Sequence, residues 1–246
     1  MKKACYFLIL SNLVLLQFAF GQRTANDNVR LFQTFFQDAA VAQQPFGEAA
    51  LGYADFGPAN SVDLGVDAGL PVSPQFEVGV GLHFININPD FGDGNSGITD
   101  LPVFGKFHFP SRNGSQLSAG GFITLPIGSE DIGQGNFNFG GFGSLRHPLA
   151  SNTVLTGTAG LNFLDIGNDR EASLLVGGGL IYEMNPDLNF ISELNLQTKT
   201  DASLLTGGID YESGLNSHFR AVLGIGVDSG APDFLLRVSF LTFLKQ

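Results

Sequence analysis

The chain has 246 residues, of which 14% carry a formal charge and 43% are hydrophobic; Asp and Glu total 23 against 12 Lys and Arg. Soluble domains average about 25% charged residues, so a solvated globular surface is poorly supplied here. The acidic excess disfavours nucleic acid as a partner.

The first residues read as an export signal. Lys2 and Lys3 precede a mostly apolar run from Tyr6 to Phe20, and Ala19-Phe20-Gly21 offers small residues at the cleavage positions. The run is too short for a spanning helix, which needs about 20 apolar residues. A signal over 1–21 is therefore expected, with Gln22 starting the mature chain. Its removal takes Lys2, Lys3 and the lone Cys5, leaving ten basic residues against 23 acidic ones, a net of −13. A mature chain without cysteine has neither a disulfide framework nor a thiol nucleophile. No later apolar run is long enough for a membrane helix.

Residues 22–46 do not alternate. Val29, Phe32, Phe36 and Ala39 or Ala40 recur at helical spacing, with Asp27 or Asn28 as a cap. Two readings stay open: a short amphipathic helix in or beneath a barrel lumen, or a frayed leader.

From residue 47 to 246 the pattern changes to period two. In the segment 75–84, Phe76, Val78, Val80, Leu82 and Phe84 take one parity, and Gln75, Glu77, Gly79, Gly81 and His83 the other. Alternate side chains of a strand point to opposite faces, so one face is apolar and the other carries glycine and charge. Twelve strands are expected, over 48–56, 61–71, 75–88, 97–110, 116–126, 136–147, 153–164, 172–184, 188–198, 202–212, 217–228 and 233–244. Most reach the 9–11 residues or so that a tilted membrane strand needs. The even-numbered connections are tight Pro-, Asn- and Ser-rich turns. The longest, 89–96, 128–135 and 166–171, are odd-numbered. Bacterial barrels keep short turns in the periplasm and longer loops outside. The expected fold is all-β: an antiparallel up-and-down transmembrane barrel of about 12 strands, preceded by a short non-barrel segment. A soluble barrel or sandwich would invert the faces. The export signal and the sparse mid-strand charge favour an apolar outside, with Phe and Tyr supplying interface girdles in the absence of Trp.

By parity the lumen carries Asp63, Asp67, Glu77, Asp100, Glu183, Glu193, Asp210 and Glu212, opposed by Lys106, Arg146, Arg220 and Arg237, with His83, His108 and His218. Interior charges need partners. The turn 213–216 sets Asp210 and Glu212 across from His218 and Arg220, and Glu77 is expected near His108 and Lys106. Pairing is the favoured role for most of them. The excess of acids biases any residual pore toward cations.

Enzymatic readings find no support. Ser192 is a lone polar residue on the lipid-facing parity, with no His at matching depth, and His147 lies at a turn. The four His form no close metal-type pair, and the Gly-rich stretch 133–143 alternates as a strand rather than cradling phosphate. No cofactor, no metal and no catalytic set is expected.

The stretch 97–164 carries Gly97-Ile98-Thr99-Asp100-Leu101, then Gly105-Lys106-Phe107-His108-Phe109, then Leu125-Pro126-Ile127-Gly128-Ser129-Glu130 before a Gly-rich loop, then Phe139-Gly140-Gly141. It resembles the outer-membrane putative-transporter family named after the meta-pathway of phenol degradation. The resemblance covers about a quarter of the chain. It implies an outer-membrane barrel that passes small, often hydrophobic compounds. Outer-membrane chains commonly finish on an aromatic residue, whereas this one runs past Phe243 to Leu244-Lys245-Gln246. The expected function is a passive channel or transporter for small solutes in the outer membrane. The alternative is a structural or surface-interaction barrel with a closed lumen. The expected partners are the lipid bilayer, a small solute and, during biogenesis, the barrel-assembly machinery.

Overall fold

The computed structural model describes residues 28–112, 114–133, 135–166, 169–200, 202–214 and 216–244. The export signal and its cleavage site lie outside the described residues. The strands, in chain order, are β1 (Phe46–Asp55), β2 (Ala59–Ser73), β3 (Phe76–Pro89), β4 (Asn95–Ile98), β5 (Leu101–Arg112), β6 (Ser115–Leu125), β7 (Asn138–Ala150), β8 (Thr153–Ile166), β9 (Asp169–Asn185), β10 (Leu188–Gln197), β11 (Leu204–Glu212), β12 (Ser217–Gly226) and β13 (Phe234–Phe243). Each pairs antiparallel with its sequence neighbour, except that β5 joins β3 past the short β4. The strand expected over 97–110 is thus interrupted at Thr99 and Asp100, which adds one short strand to the twelve.

β13 closes on β1, with Phe46 opposite Phe243 and Asp55 opposite Phe234. Closure leaves no long sheet edge, so the backbone hydrogen bonds are satisfied within the wall. That is the condition for a sheet to cross lipid.

The two faces follow the alternation. Leu64, Val66, Phe219 and Leu223 point outward and are more than half exposed, as part of an apolar belt contributed by every long strand. An exposed apolar surface of that extent fits lipid, not water. The inward parity carries Glu77, Lys106, Arg146, Glu193, Asp210 and Arg220, each almost fully buried.

The connections sort by end. The even-numbered ones, 74–75, 113–114, 151–152, 186–187 and 213–216, have at most four residues. Residue 45 and residue 244 meet at this same end, where Leu244 N donates to Pro45 O; we call it the turn end. The opposite, loop end holds the longest connection, 126–137. The long loop expected at 166–171 is mostly strand instead, since Ile166 pairs with Asp169.

Candidate functional site: a lumen filled by the N-terminal segment

Residues 28–45 enter the barrel and return to the wall at Phe46. Among the described residues this stretch forms no α-helix, one of the two readings that its spacing left open. The segment is extended except for one 3₁₀ turn, Phe35–Gln37, with no side-chain cap at Thr34. Val29, Phe32 and Phe36 sit at helical spacing but divide between two clusters, Val29 and Phe32 in one and Phe36 in the other. Val29 packs with Leu31, Val154, Ile181 and Ile191. A Cβ added to Gly208 would meet the Phe32 ring, and one added to Gly79 the Phe36 ring. Wall glycines therefore act as seats, and Phe36 also stacks on Phe104 at 4.9 Å. The other half of the insert packs Phe35 and Ala42 against Phe46, Leu241 and Phe243.

Hydrogen bonds tie this segment to opposite walls. On β10, Glu193 accepts from Phe32 N (2.8 Å), Gln33 N (2.8 Å), Thr34 N (3.0 Å) and Thr34 Oγ1 (2.9 Å). Three consecutive backbone N–H groups around one carboxylate form an anion nest made by the chain itself. On β12, Arg220 Nη2 donates to the carbonyls of Arg30 (2.9 Å) and Leu31 (3.1 Å). On β7, Arg146 Nη1 donates to Val29 O (2.9 Å) and pairs with Asp38 at 3.2 Å. On β5, Lys106 Nζ donates to Asp38 O (2.7 Å) and Ala40 O (2.6 Å). Ser118 donates to Ala39 O at 2.6 Å, and Ser144 to Gln37 O.

The segment brings charge of its own. Arg30 is fully buried and forks onto both oxygens of Glu77 at 2.9 Å. Its guanidinium lies 5.0 Å from the Phe35 ring centre. Glu77 also accepts from Ala42 N at 2.6 Å. Asp38 accepts from Thr156 Oγ1 (3.2 Å) and Ala40 N (2.9 Å). Burial pushes the Asp38 carboxyl up, but Arg146, Arg30, the Ala40 N–H and Lys106 together outweigh burial and hold it below the ordinary carboxylate value. Fully buried charges persist only when paired and hydrogen-bonded; here two of the buried ion pairs, Arg30–Glu77 and Asp38–Arg146, run between wall and insert, and the wall charges Lys106, Glu193 and Arg220 also bind the insert's backbone.

The expected luminal residues fall into four groups. Glu77, Lys106, Arg146, Glu193 and Arg220 bind the insert. Lys106 does sit 3.5 Å from Glu77, but His108 turns to Ala39 O at 3.3 Å instead of to Glu77, because Arg30 occupies both Glu77 oxygens. Asp210 and His218 form a buried wall pair at 2.7 Å, and Arg220 reaches Asp210 at 3.2 Å. Register places His218 opposite Glu212, yet its Nδ1 takes the diagonal Asp210. Glu212 and Glu183 lie half-buried beside the turns 213–216 and 186–187.

The third group lies nearer the loop end. His83 Nδ1 is 3.0 Å from Asp63, His83 Nε2 is 3.5 Å from Asp67, and Arg237 is 3.3 Å from Asp67. These side chains remain 13–25% exposed. Asp100 stands apart in the break between β4 and β5. Its carboxylate accepts from Gly128 N at 2.9 Å and Gly135 N at 3.1 Å, which folds the 126–137 loop back onto the barrel.

Three residues of the network escape the parity reading. Arg30 and Asp38 sit in a segment with no strand period. Glu48, the first residue of an expected strand, is buried on β1 and pairs with Arg220 at 3.1 Å. A lone Arg and a lone Asp among Phe, Gln and Ala were the available signal for the first two.

Above the insert, toward the loop end, a cavity of about 260 Å³ remains. The insert supplies its floor through Gln33, Thr34 and Gln37, and the loop-end halves of β5, β6 and β8–β11 supply its wall. Among the described residues, no group of three His, Cys, Asp or Glu is placed to hold a metal ion.

No family model matches the sequence, and no curated protein does. Solved structures do match in fold. The COG4313 outer membrane channel from Pseudomonas putida F1 superposes with a TM-score of 0.65 at 13% identity, over 84% of this chain and 97% of that one. A KdgM porin in complex with disordered oligogalacturonate gives 0.58 at 10% identity, over 80% and 99%. The toluene transporter TbuX of Ralstonia pickettii gives 0.52 at 8% identity, over 85% and 91%. The chain is similar to these barrels in fold.

Proposed function

We propose that this protein is an outer-membrane channel for small solutes whose lumen is gated by its own N-terminal segment. The mature chain reaches the membrane after export, and no chemistry is performed. One observation carries the reading: seven charged or hydroxyl side chains on six different strands point inward and bind backbone atoms of residues 28–45. Passage requires that segment to move, because it occupies the lumen between opposite walls. The apolar belt supports placement in a bilayer. The fold shared with channels, porins and a toluene transporter supports passive conduction over a purely structural barrel. The motif resemblance over 97–164 supports the transporter family named after the meta-pathway, and with it a small organic solute. Acidic residues outnumber basic ones, so the opened path favours cations and neutral solutes over anions.

Conductance of the purified mature protein in a planar bilayer under a salt gradient tests this reading. Brief, infrequent steps with a cation-selective reversal potential are expected. A folded protein that stays silent at every voltage, with its N-terminal segment displaced as well as in place, contradicts a channel.

A further inference from the structure

The cavity above the insert differs in chemistry from the lumen around it. None of its lining residues is Asp, Glu, Lys, Arg or His, although the network beneath it and the Asp63–His83–Asp67–Arg237 cluster are built of charge. The polar lining is amide and hydroxyl: Gln33 and Gln37 from the insert, Asn162, Asn195 and Gln197 from the wall. Such groups donate and accept without carrying charge. Beside them, Phe104 and Phe122 lie with ring centres 5.8 Å apart and offer apolar surface.

Two of these amides are short of partners. Gln37 Oε1 and Asn195 Oδ1 are buried acceptors with no hydrogen-bond partner among the described residues, and Asn195 as a whole is 7% exposed. Buried polar atoms of native proteins are nearly always satisfied; both oxygens are shielded as the side chains stand, but both residues line the cavity, so a turn of either amide presents its unused acceptor to a solute there. Water alone could enter a space of this volume. It would gain nothing from the phenylalanine rings, whereas a solute with hydroxyls on its rim and C–H groups on its face uses both. At about 260 Å³ the space lies just below the roughly 300–1,000 Å³ of drug-sized pockets, which suits a single small ring.

We propose that this cavity is a binding site for an uncharged polyhydroxylated solute of monosaccharide size, held by the amides and stacked on the phenylalanine pair. The site deepens the channel reading and rests on it for its purpose, since it names the class of solute that collects on the outer side of the gate. An ionised solute would lose hydration and find no counter-charge there. Insert residues form the floor, so the solute touches both the wall and the part that must move.

Saturation-transfer NMR on the detergent-solubilised mature protein tests the proposal, with glucose as the neutral probe and glucuronate as its charged counterpart. Glucose is expected to bind saturably in the millimolar range, and glucuronate at least about tenfold more weakly. The variant N162L/Q197L, which removes two wall amides while leaving every insert-binding residue in place, is expected to lose about tenfold in glucose affinity. Heat-modifiability on gels checks that this variant is folded, and the single variant Q197L repeats the test if it is not. Equal binding of the two sugars, absence of saturable glucose binding, or a folded variant that binds as tightly as the wild type each overturns the proposal. Binding is read without any current across a membrane. A protein that binds glucose but never conducts therefore rejects the channel reading and leaves the site standing.

Discussion

The two halves of the lumen are built from the same residue types and use them differently. In the turn-end half, Arg30, Glu77, Lys106, Glu193 and Arg220 are at most 3% exposed, and each makes bonds that join the wall to the inserted segment. In the loop-end half, Asp63, Asp67, His83 and Arg237 stay 13–25% exposed, and their partners are other wall residues. The difference lies in what each charge would lose. A fully buried charge deprived of its partner costs about 3–5 kcal/mol, whereas a charge that still reaches water recovers part of its hydration and loses less. The lower charges therefore act as latches on the insert. On the channel reading proposed above, the upper ones set the potential at the loop end without holding the insert.

Substitutions can break this contrast. The largest effect is expected from Glu193→Ala, which strips three backbone N–H groups and the Thr34 hydroxyl of one shared acceptor. The insert should be destabilised by about 3 kcal/mol or more, read as frequent channel opening and faster protease cleavage within residues 28–45. Unchanged conductance and cleavage would remove Glu193 from the latch.

Gly79→Ala probes the same latch without touching charge. Its Cβ would meet the Phe36 ring, which is itself stacked on Phe104. A cost of about 1–3 kcal/mol is expected, visible as a higher open probability with unaltered ion preference. A change of ion preference without a change in opening would show that the seat does not hold the insert.

Acid should release the insert. Asp38 belongs to the inserted segment and to no strand, and its pKa lies below the value of about 3.9 for a free aspartate. A depressed carboxylate contributes stability that is complete above the free value and is lost as pH falls through the lowered one. Insert protection against an acid-active protease should thus be constant from pH 7 down to about pH 4 and decline below. Loss of protection between pH 7 and 5 would assign the latch to another group.

The smallest effect on stability is expected at the entrance. Arg237→Gln removes a partly exposed cation from beside Asp67, which keeps His83 as a partner, and should cost less than the roughly 3 kcal/mol expected for Glu193→Ala. It should still raise the cation preference of whatever current flows, measured as a shift in reversal potential. A large drop in melting temperature with no change in selectivity would reverse the roles given to the two halves.

The barrel was legible because its signal is local. A period of two over nine to fifteen residues needs no knowledge of the rest of the chain, and the apolar parity of Val62–Leu70 or Phe234–Phe240 marked one face, which the export signal and the sparse mid-strand charge turned outward. The break at Thr99 and Asp100 was not legible, since Asp100 leaves the strand to bind the backbone of Gly128 and Gly135, a contact between distant segments. The insert was hidden for a related reason. Its apolar residues are spaced by the positions of wall glycines such as Gly79 and Gly208, not by a helix turn, and so Val29, Phe32 and Phe36 imitate a helix. The wall's half of the latch could be named by parity, but its other half, Arg30 and Asp38, lies where no period operates.

The measurement closest to the central claim compares the single-channel conductance of the intact mature chain with that of a chain lacking residues 28–44, both verified as folded by heat-modifiability. The intact protein should be closed for most of the time, and the shortened one should show sustained, cation-preferring steps. Where the deletion fails to fold, Gly79→Ala in the full-length chain takes its place, with a raised open probability as the expected result. Equal conductance from folded proteins with and without the insert seated would mean that residues 28–45 do not close the lumen.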